Sequence, residues 1–340
     1  MTITKFFSLA TLALGVSALS ANAGDYKVNV TFGEDDLGAM AYLVNYDTGK
    51  SIDSVHIDEQ TMTFAGKIDK PLIARVLVDG QRRGTFFVED GVIDFDTKTR
   101  KVVGGSLNSL SEQFNEKTNK IGAEYQAAES DSLKAAVYGK YQALVHDEMV
   151  KNIDNAFGYS LFLDLAGDMS PEEVQATVDK YPSLKEYKKV NKYLEANAKK
   201  AATQPGCKFV DFEISYDGQS HRLSDVVGKG DYVLVDFWAS WCGPCIRQTA
   251  VIKDIYKEYK DSGLKVLGVA VWDEPENTLG AIKQHELPWE CWLNGQNVPT
   301  DAYGIMGIPC IILFGPDGTI LSRDKQSDEL KADVRAALTK

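Results

Sequence analysis

Val233-Leu234-Val235-Asp236-Phe237-Trp238-Ala239-Ser240-Trp241-Cys242-Gly243-Pro244-Cys245 is the stretch that decides how the rest of the chain is read. It opens inside an apolar run, Tyr232 to Trp238, broken only by Asp236, which is the pattern of a central strand covered on both faces. It closes on two cysteines with a helix expected from about Pro244 to Lys260. A thiol at a helix start sits among unpaired backbone N–H groups and at the positive end of the helix dipole, so the thiolate is favoured. The second cysteine lies one turn further in, near enough to close a disulfide. Cys242 is therefore expected to attack and Cys245 to resolve in a dithiol–disulfide cycle.

Other uses of such a pair fit less well. A zinc site needs more ligands, and the four histidines (His56, His146, His221, His285) are scattered. Haem attachment needs a histidine after the second cysteine, where Ile246 stands. An inert bracing disulfide stays open as an alternative. No metal and no cofactor is called for.

Downstream of the pair, strands are expected at Leu264–Val271, Cys310–Phe314 and Thr319–Ser322, and helices at Glu276–Glu286 and Ser327–Thr339. Gly315-Pro316-Asp317-Gly318 supplies a turn. The order is a βαβ unit, then a hairpin and a helix, so residues 205–340 form an α/β domain. Upstream, Thr203-Gln204-Pro205-Gly206 marks a boundary. Residues 109–204 read as helical: Ser170-Pro171-Glu172-Glu173 is a capped helix start, Pro182 closes that helix, and Ser183–Ala202 reads as one Lys-rich helix with a solvated face. Residues 24–108 alternate at period two over Tyr26–Phe32, Thr61–Ala65 and Val92–Phe95, with turns at Asp79-Gly80 and Asp90-Gly91. A small antiparallel all-β sandwich or barrel is expected there.

Residues 1–23 read as a signal peptide. Lys5 precedes the uncharged stretch Phe6–Leu19, and Ala21-Asn22-Ala23 has the small-x-small form of a cleavage site. That stretch is shorter than the ~20 apolar residues of a membrane span. An exported protein without an integral membrane segment, free in the periplasm or cell envelope, is expected. The 340 residues suit two or three compact units. The formal charge of −12, from 37 Lys+Arg against 49 Asp+Glu, argues against nucleic acid as a partner. Cys207, Cys291 and Cys310 stand alone in the sequence and read as small buried hydrophobes, a second disulfide among them being the alternative.

The Val233–Cys245 stretch resembles the active-site strand of thioredoxins. The lead from Phe209 to Leu223 and the insert before Pro309 resemble the TlpA/ResA-like envelope branch, which is related to the AhpC/TSA family; the resemblance covers about 205–338. It implies a thioredoxin-like fold and further roles. Asp236 corresponds to the buried acid that takes the proton of the resolving thiol, a hydrogen-bonded core Asp being the plainer reading. Pro309 in Gly307-Ile308-Pro309 corresponds to the cis-proline facing the disulfide, with Ile308 offering backbone to an extended substrate; a turn proline is the alternative. Trp241 and Trp238 flank the pair and shape the substrate surface, core packing being equally open for Trp238. Two positions depart from the pattern: Gln248 stands where a Glu is frequent, and Cys310 follows the proline where Thr is commoner. A glutamine cannot shuttle a proton, which puts weight on Asp236.

Gly243-Pro244 is the thioredoxin dipeptide, associated with a potential near about −270 mV against about −120 mV for strong oxidants of the DsbA type. The resemblance thus implies a protein-disulfide reductase whose clients are oxidised envelope proteins, apocytochrome c among them, recharged by a membrane electron donor. Residues Ile52-Asp53-Ser54, Phe64-Ala65-Gly66, Phe87-Val88-Glu89-Asp90-Gly91 and Gly105-Ser106 resemble a β-rich domain of unknown function found ahead of thioredoxin domains in bacterial envelope proteins. Two alternatives are a thiol peroxidase, which lacks its Pro-x-x-x-Thr-x-x-Cys context here, and a partner-binding protein with an auxiliary redox domain.

Overall fold

The computed structural model describes residues 24–339, and the expected signal peptide lies outside the described residues. The chain divides into two compact units between Lys188 and Lys189.

The first unit begins with eight strands: β1 (Gly24–Thr31), β2 (Met40–Asn45), β3 (Ser51–His56), β4 (Thr61–Ile68), β5 (Leu72–Val78), β6 (Gln81–Val88), β7 (Gly91–Asp96) and β8 (Val102–Val103). They form two four-stranded sheets, ordered β4-β1-β7-β8 and β3-β2-β5-β6. Alternate residues of each turn inward, so Val28, Val30, Ile93 and Phe95 of one sheet meet Leu43, Val76 and Phe86 of the other. The sandwich is not purely antiparallel as expected. β1 pairs antiparallel with β4 but parallel with β7. The chain between β1 and β7 crosses through the second sheet, and such a long connection is what permits a parallel neighbour. Helices α1 (Ser106–Ala127), α2 (Asp131–Lys151), α3 (Ala156–Ala166) and α4 (Pro171–Lys180) follow. Phe157 joins them to the sheet, edge-on to Phe87 of β6 at 6.0 Å and to Phe114 of α1 at 5.7 Å. At α4 the Ser170 hydroxyl accepts the Glu173 N–H while the Glu173 carboxylate accepts the Ser170 N–H, with Pro171 in the first turn.

The single helix expected over Ser183–Ala202 is two pieces. A 3₁₀ turn, Pro182–Glu186, ends at Tyr187, whose backbone is extended (φ −93°, ψ 129°), and α5 (Lys188–Ala201) starts afresh. α5 groups with the second unit although it precedes the loop at 203–206. The reason is close packing: a Cβ on Gly304 would lie 2.0 Å from the Ala196 carbonyl, and the buried Arg323 guanidinium donates to the Thr203 and Tyr303 carbonyls at 3.2 and 2.8 Å.

After α5 come β9 (Glu213–Tyr216), β10 (Gln219–Arg222), β11 (Tyr232–Trp238), α6 (Gly243–Tyr259), β12 (Leu264–Ala270), α7 (Pro275–Gln284), β13 (Glu290–Trp292), α8 (Val298–Tyr303), β14 (Cys310–Phe314), β15 (Ile320–Arg323) and α9 (Ser327–Leu338). The main sheet is ordered β13-β12-β11-β14-β15, with β11, β12 and β13 parallel to one another, β14 antiparallel to β11, and β15 antiparallel to β14. This is the thioredoxin-like arrangement. The β9–β10 hairpin, β13 and α8 are short and were not expected from the sequence. Odd residues of β11 (Val233, Val235, Phe237) pack with Phe212, Tyr303 and Phe314; Leu234 packs on the other face with Ile252 and Ile255 of α6 and Leu330 of α9. Asp236 and Trp238 continue the even row, so both point to the α6 side. No helix among the described residues is long and apolar enough to cross a membrane.

Candidate active site

Cys242 is the residue on which α6 starts. Its Sγ accepts the Cys245 backbone N–H at 3.2 Å, so the sulfur lies on the unpaired donors of the helix N-terminus. The two cysteines are joined as a disulfide, Cα atoms 5.2 Å apart. Cys242 retains 4% exposure and Cys245 none, so an incoming sulfur can reach Cys242 alone. The pair packs with Trp238, Ala239 and Ala281, and Ile308 lies against the same cluster. The Ile308–Pro309 peptide bond is cis. Trp241 is 61% exposed and is held by its indole N–H, which donates to the Trp272 carbonyl at 2.9 Å. The structure therefore brings Trp241 and Ile308–Pro309 to the disulfide's end of the domain.

Asp236 lies on the same face of β11 as Trp238, on the α6 side of the sheet. It is buried, and its Oδ1 has no hydrogen-bond partner. Burial pushes its carboxyl up to about 7, because an unpaired charge there is poorly solvated. A hydrogen-bonded core Asp, the plainer reading from the sequence, does not describe this oxygen. In register with it stand Gly268 of β12 and Cys291 of β13.

Gln248 has another use. Its Oε1 accepts the Ser327 N–H at 3.0 Å and its Nε2 donates to the Ser327 hydroxyl at 3.2 Å, pinning the start of α9 to α6. The three remaining cysteines are free thiols. Burial, with the Asp236 charge second, pushes the Cys291 thiol up to about 12. Burial also raises the Cys310 thiol, with the Asp324 carboxylate second; Cys310 Sγ donates to Asp324 Oδ1 at 3.1 Å. Both stay protonated and unreactive at neutral pH.

Asp273 was not singled out from the sequence. Its carboxylate accepts the Ser240 N–H at 2.7 Å, the Ser240 hydroxyl at 3.0 Å, the Glu274 N–H at 3.0 Å and the Thr278 hydroxyl at 2.8 Å. It fastens the loop entering Cys242 to the start of α7. The signal available was an Asp at the end of a strand followed by Glu-Pro, a helix-start pattern; its partner Ser240, 33 residues away, had none.

The arrangement suits thiol–disulfide exchange: a reachable sulfur on helix N–H groups, a shielded second sulfur, and a buried unpaired carboxylate able to hold a proton near neutral pH. The family model AhpC/TSA matches residues 205–323, and a model described as a domain of unknown function (DUF4369) matches residues 26–110. The chain is 30% identical over 129 residues to the thiol-disulfide oxidoreductase ResA of Geobacillus thermodenitrificans, covering 38% of this chain and 73% of that protein. It is 32% identical to the ResA of Halalkalibacterium halodurans, covering 36% and 70%. Among solved structures, the thioredoxin domain of a thiol-disulfide oxidoreductase from Bacteroides vulgatus is 28% identical, covering 40% of this chain and 97% of that one, with a TM-score of 0.33.

Proposed function

We propose a function from one premise: the chain belongs to the thiol-disulfide oxidoreductase family of the ResA proteins. As an oxidoreductase of that family it exchanges thiols and disulfides, and the direction we assign is reduction of protein disulfides. The Cys242 thiolate attacks a client disulfide, forming a mixed disulfide and releasing one client thiolate. Cys245 gives its proton to Asp236 and attacks Cys242 Sγ, which releases the second client sulfur and forms the Cys242–Cys245 disulfide. Two electrons have passed to the client, and a dithiol donor in the membrane returns them. Trp241 and the Ile308–Pro309 backbone receive the client chain.

The observation that carries this reading is the pairing of Cys242 Sγ with the Cys245 N–H, together with a buried Asp236 on the α6 side of β11 whose Oδ1 has no partner. Gly243-Pro244 between the cysteines supports the reducing direction. The test is the potential of the Cys242/Cys245 pair equilibrated against glutathione. A value near about −270 mV is expected, and one near about −120 mV would reverse the direction, a gap of roughly 7 kcal/mol.

We place the activity in the cell envelope, on the support of the Phe6–Leu19 stretch and Ala21-Asn22-Ala23. Clients are oxidised envelope proteins, apocytochrome c among them. Mass spectrometry of partners trapped by Cys245→Ser identifies both client and donor, and N-terminal sequencing of the native protein is expected to begin at Gly24. Cytoplasmic partners, or a retained leader, would remove the envelope assignment.

A further inference from the structure

A cleft of about 520 Å³ opens in the N-terminal unit between β6, the β7–β8 turn and α1. β6 is an edge strand, paired with β5 alone. Along an antiparallel ladder, residues that bond the partner strand alternate with residues whose N–H and C=O point away from it. Asn108 of α1 shows the phase. Its side-chain oxygen accepts the Phe87 N–H at 2.9 Å and its amide donates to the Phe87 carbonyl at 2.8 Å. The carboxamide makes the two bonds there that a neighbouring strand would make. Phe87 lies opposite Ile73 and Thr85 opposite Arg75, so Thr85 has the same outward phase. Thr85 is exposed, lines the cleft and has no strand on its outer side among the described residues.

The cleft walls differ in charge. Phe86 points inward, 4.9 Å from Phe95 of β7, and Phe87 points outward to Phe157 of α3. A strand laid beside β6 would therefore turn one face to the β7–β8 turn and the other to α1. The turn presents Arg100 and Lys101, and α1 presents Glu112 and Glu116, all four exposed.

We propose that this cleft takes an extended segment of a partner polypeptide as an added strand on β6, acidic side chains toward Arg100 and Lys101, basic ones toward Glu112 and Glu116. Main-chain bonds at Thr85 supply affinity for any extended chain, and the two charged walls select alternating charge and fix which face is which. The match of the walls to a strand's two-residue period is what favours an extended peptide over a helix or a small anion. This binding is independent of the dithiol chemistry.

The test is fluorescence anisotropy at low salt with the full chain and a labelled peptide of about eight residues alternating Glu and Lys. It is compared with a peptide of the same composition in two blocks, and with alternating peptides N-methylated at every second backbone amide, in each phase. The alternating peptide is expected to bind at least about tenfold more tightly than the block peptide and than one N-methylated phase. Thr85→Pro, which removes the outward N–H, should weaken it by about tenfold. The N-methylated peptides are measured on the unaltered protein, so that comparison holds even if Thr85→Pro fails to fold. Equal binding of all the peptides, or of none, overturns the proposal. A concentration-dependent dimer abolished by Thr85→Pro would also overturn it, assigning the edge to a second copy of this chain.

Discussion

The buried carboxylates of the N-terminal unit are all bonded, whereas in the C-terminal unit Asp273 is bonded and Asp236 keeps an oxygen without a partner. In the N-terminal unit, Asp36 accepts three bonds from the Arg83 guanidinium, at 2.5 to 3.0 Å. Glu89 accepts the Ser106 hydroxyl and the Leu107 N–H at 2.6 and 2.7 Å, closing the start of α1. Glu148 is ion-paired with Lys117. In the C-terminal unit, Asp236 is as deeply buried and its Oδ1 is left alone. A paired carboxylate is held as the anion and fixes structure; an unpaired one is pushed toward neutrality and can exchange a proton. The difference separates residues that brace the fold from the one we propose as the proton acceptor.

The largest test of that separation is the nucleophile. Cys242→Ser should abolish reduction of a protein disulfide, a loss of about 10³-fold or more. Alanine at Cys207, Cys291 or Cys310 should leave the rate within about twofold, since those thiols are held protonated or are remote from the pair. If one of the three matches Cys242, the chemistry is not confined to a single pair.

Asp236→Asn should slow mixed-disulfide resolution by about 10²–10⁴-fold, read by stopped flow from pH 6 to 9 as accumulation of the Cys242 adduct. The same change should stabilise the protein. The folded carboxyl keeps its proton to about 7 while the unfolded one loses it near 3.8, so the folded state binds the extra proton between those values. Stability therefore falls as pH rises through that window and is level above it. Asparagine removes the slope, on the order of 4 kcal/mol at pH 8. Unchanged resolution at every pH would return Asp236 to a structural role.

Arg83→Ala is the mirror experiment. It strands Asp36 without a partner and should cost about 2–3 kcal/mol in the N-terminal unit, the pair being partly exposed, with turnover unaltered. Loss of turnover without loss of stability would break the contrast. The smallest effect is expected at Gln248. Gln248→Glu in the Asp236→Asn background should recover only a few-fold in rate, because the side chain is committed to Ser327. Full recovery would show that a second acid can replace the buried one.

Much of the site was legible before folding. Cys242 and Cys245 point to the proposed chemistry through local spacing, and a strand-to-helix junction is itself a local pattern. Long strands and capped helices such as β11 and α4 showed for the same reason. Short elements such as β13 and α8 carry too few residues for a period to appear, and the split at Tyr187 rests on one extended residue inside a helical composition. The parallel β1–β7 pairing joins residues more than sixty positions apart, which no window along the chain can sense.

The sequence by itself singled out the sulfurs we propose exchange electrons, because a dithiol at a helix start is specified within thirteen residues. Only the tertiary structure decided that Asp236 has an oxygen without a partner, that Gln248 is spent on Ser327, that Asp273 holds the loop before Cys242, and that β6 keeps an open edge at Thr85. Each of these depends on which distant groups arrive, or fail to arrive, beside a polar atom. Burial and hydrogen-bond partnership are properties of packing, and packing joins segments whose separation in the chain carries no signal.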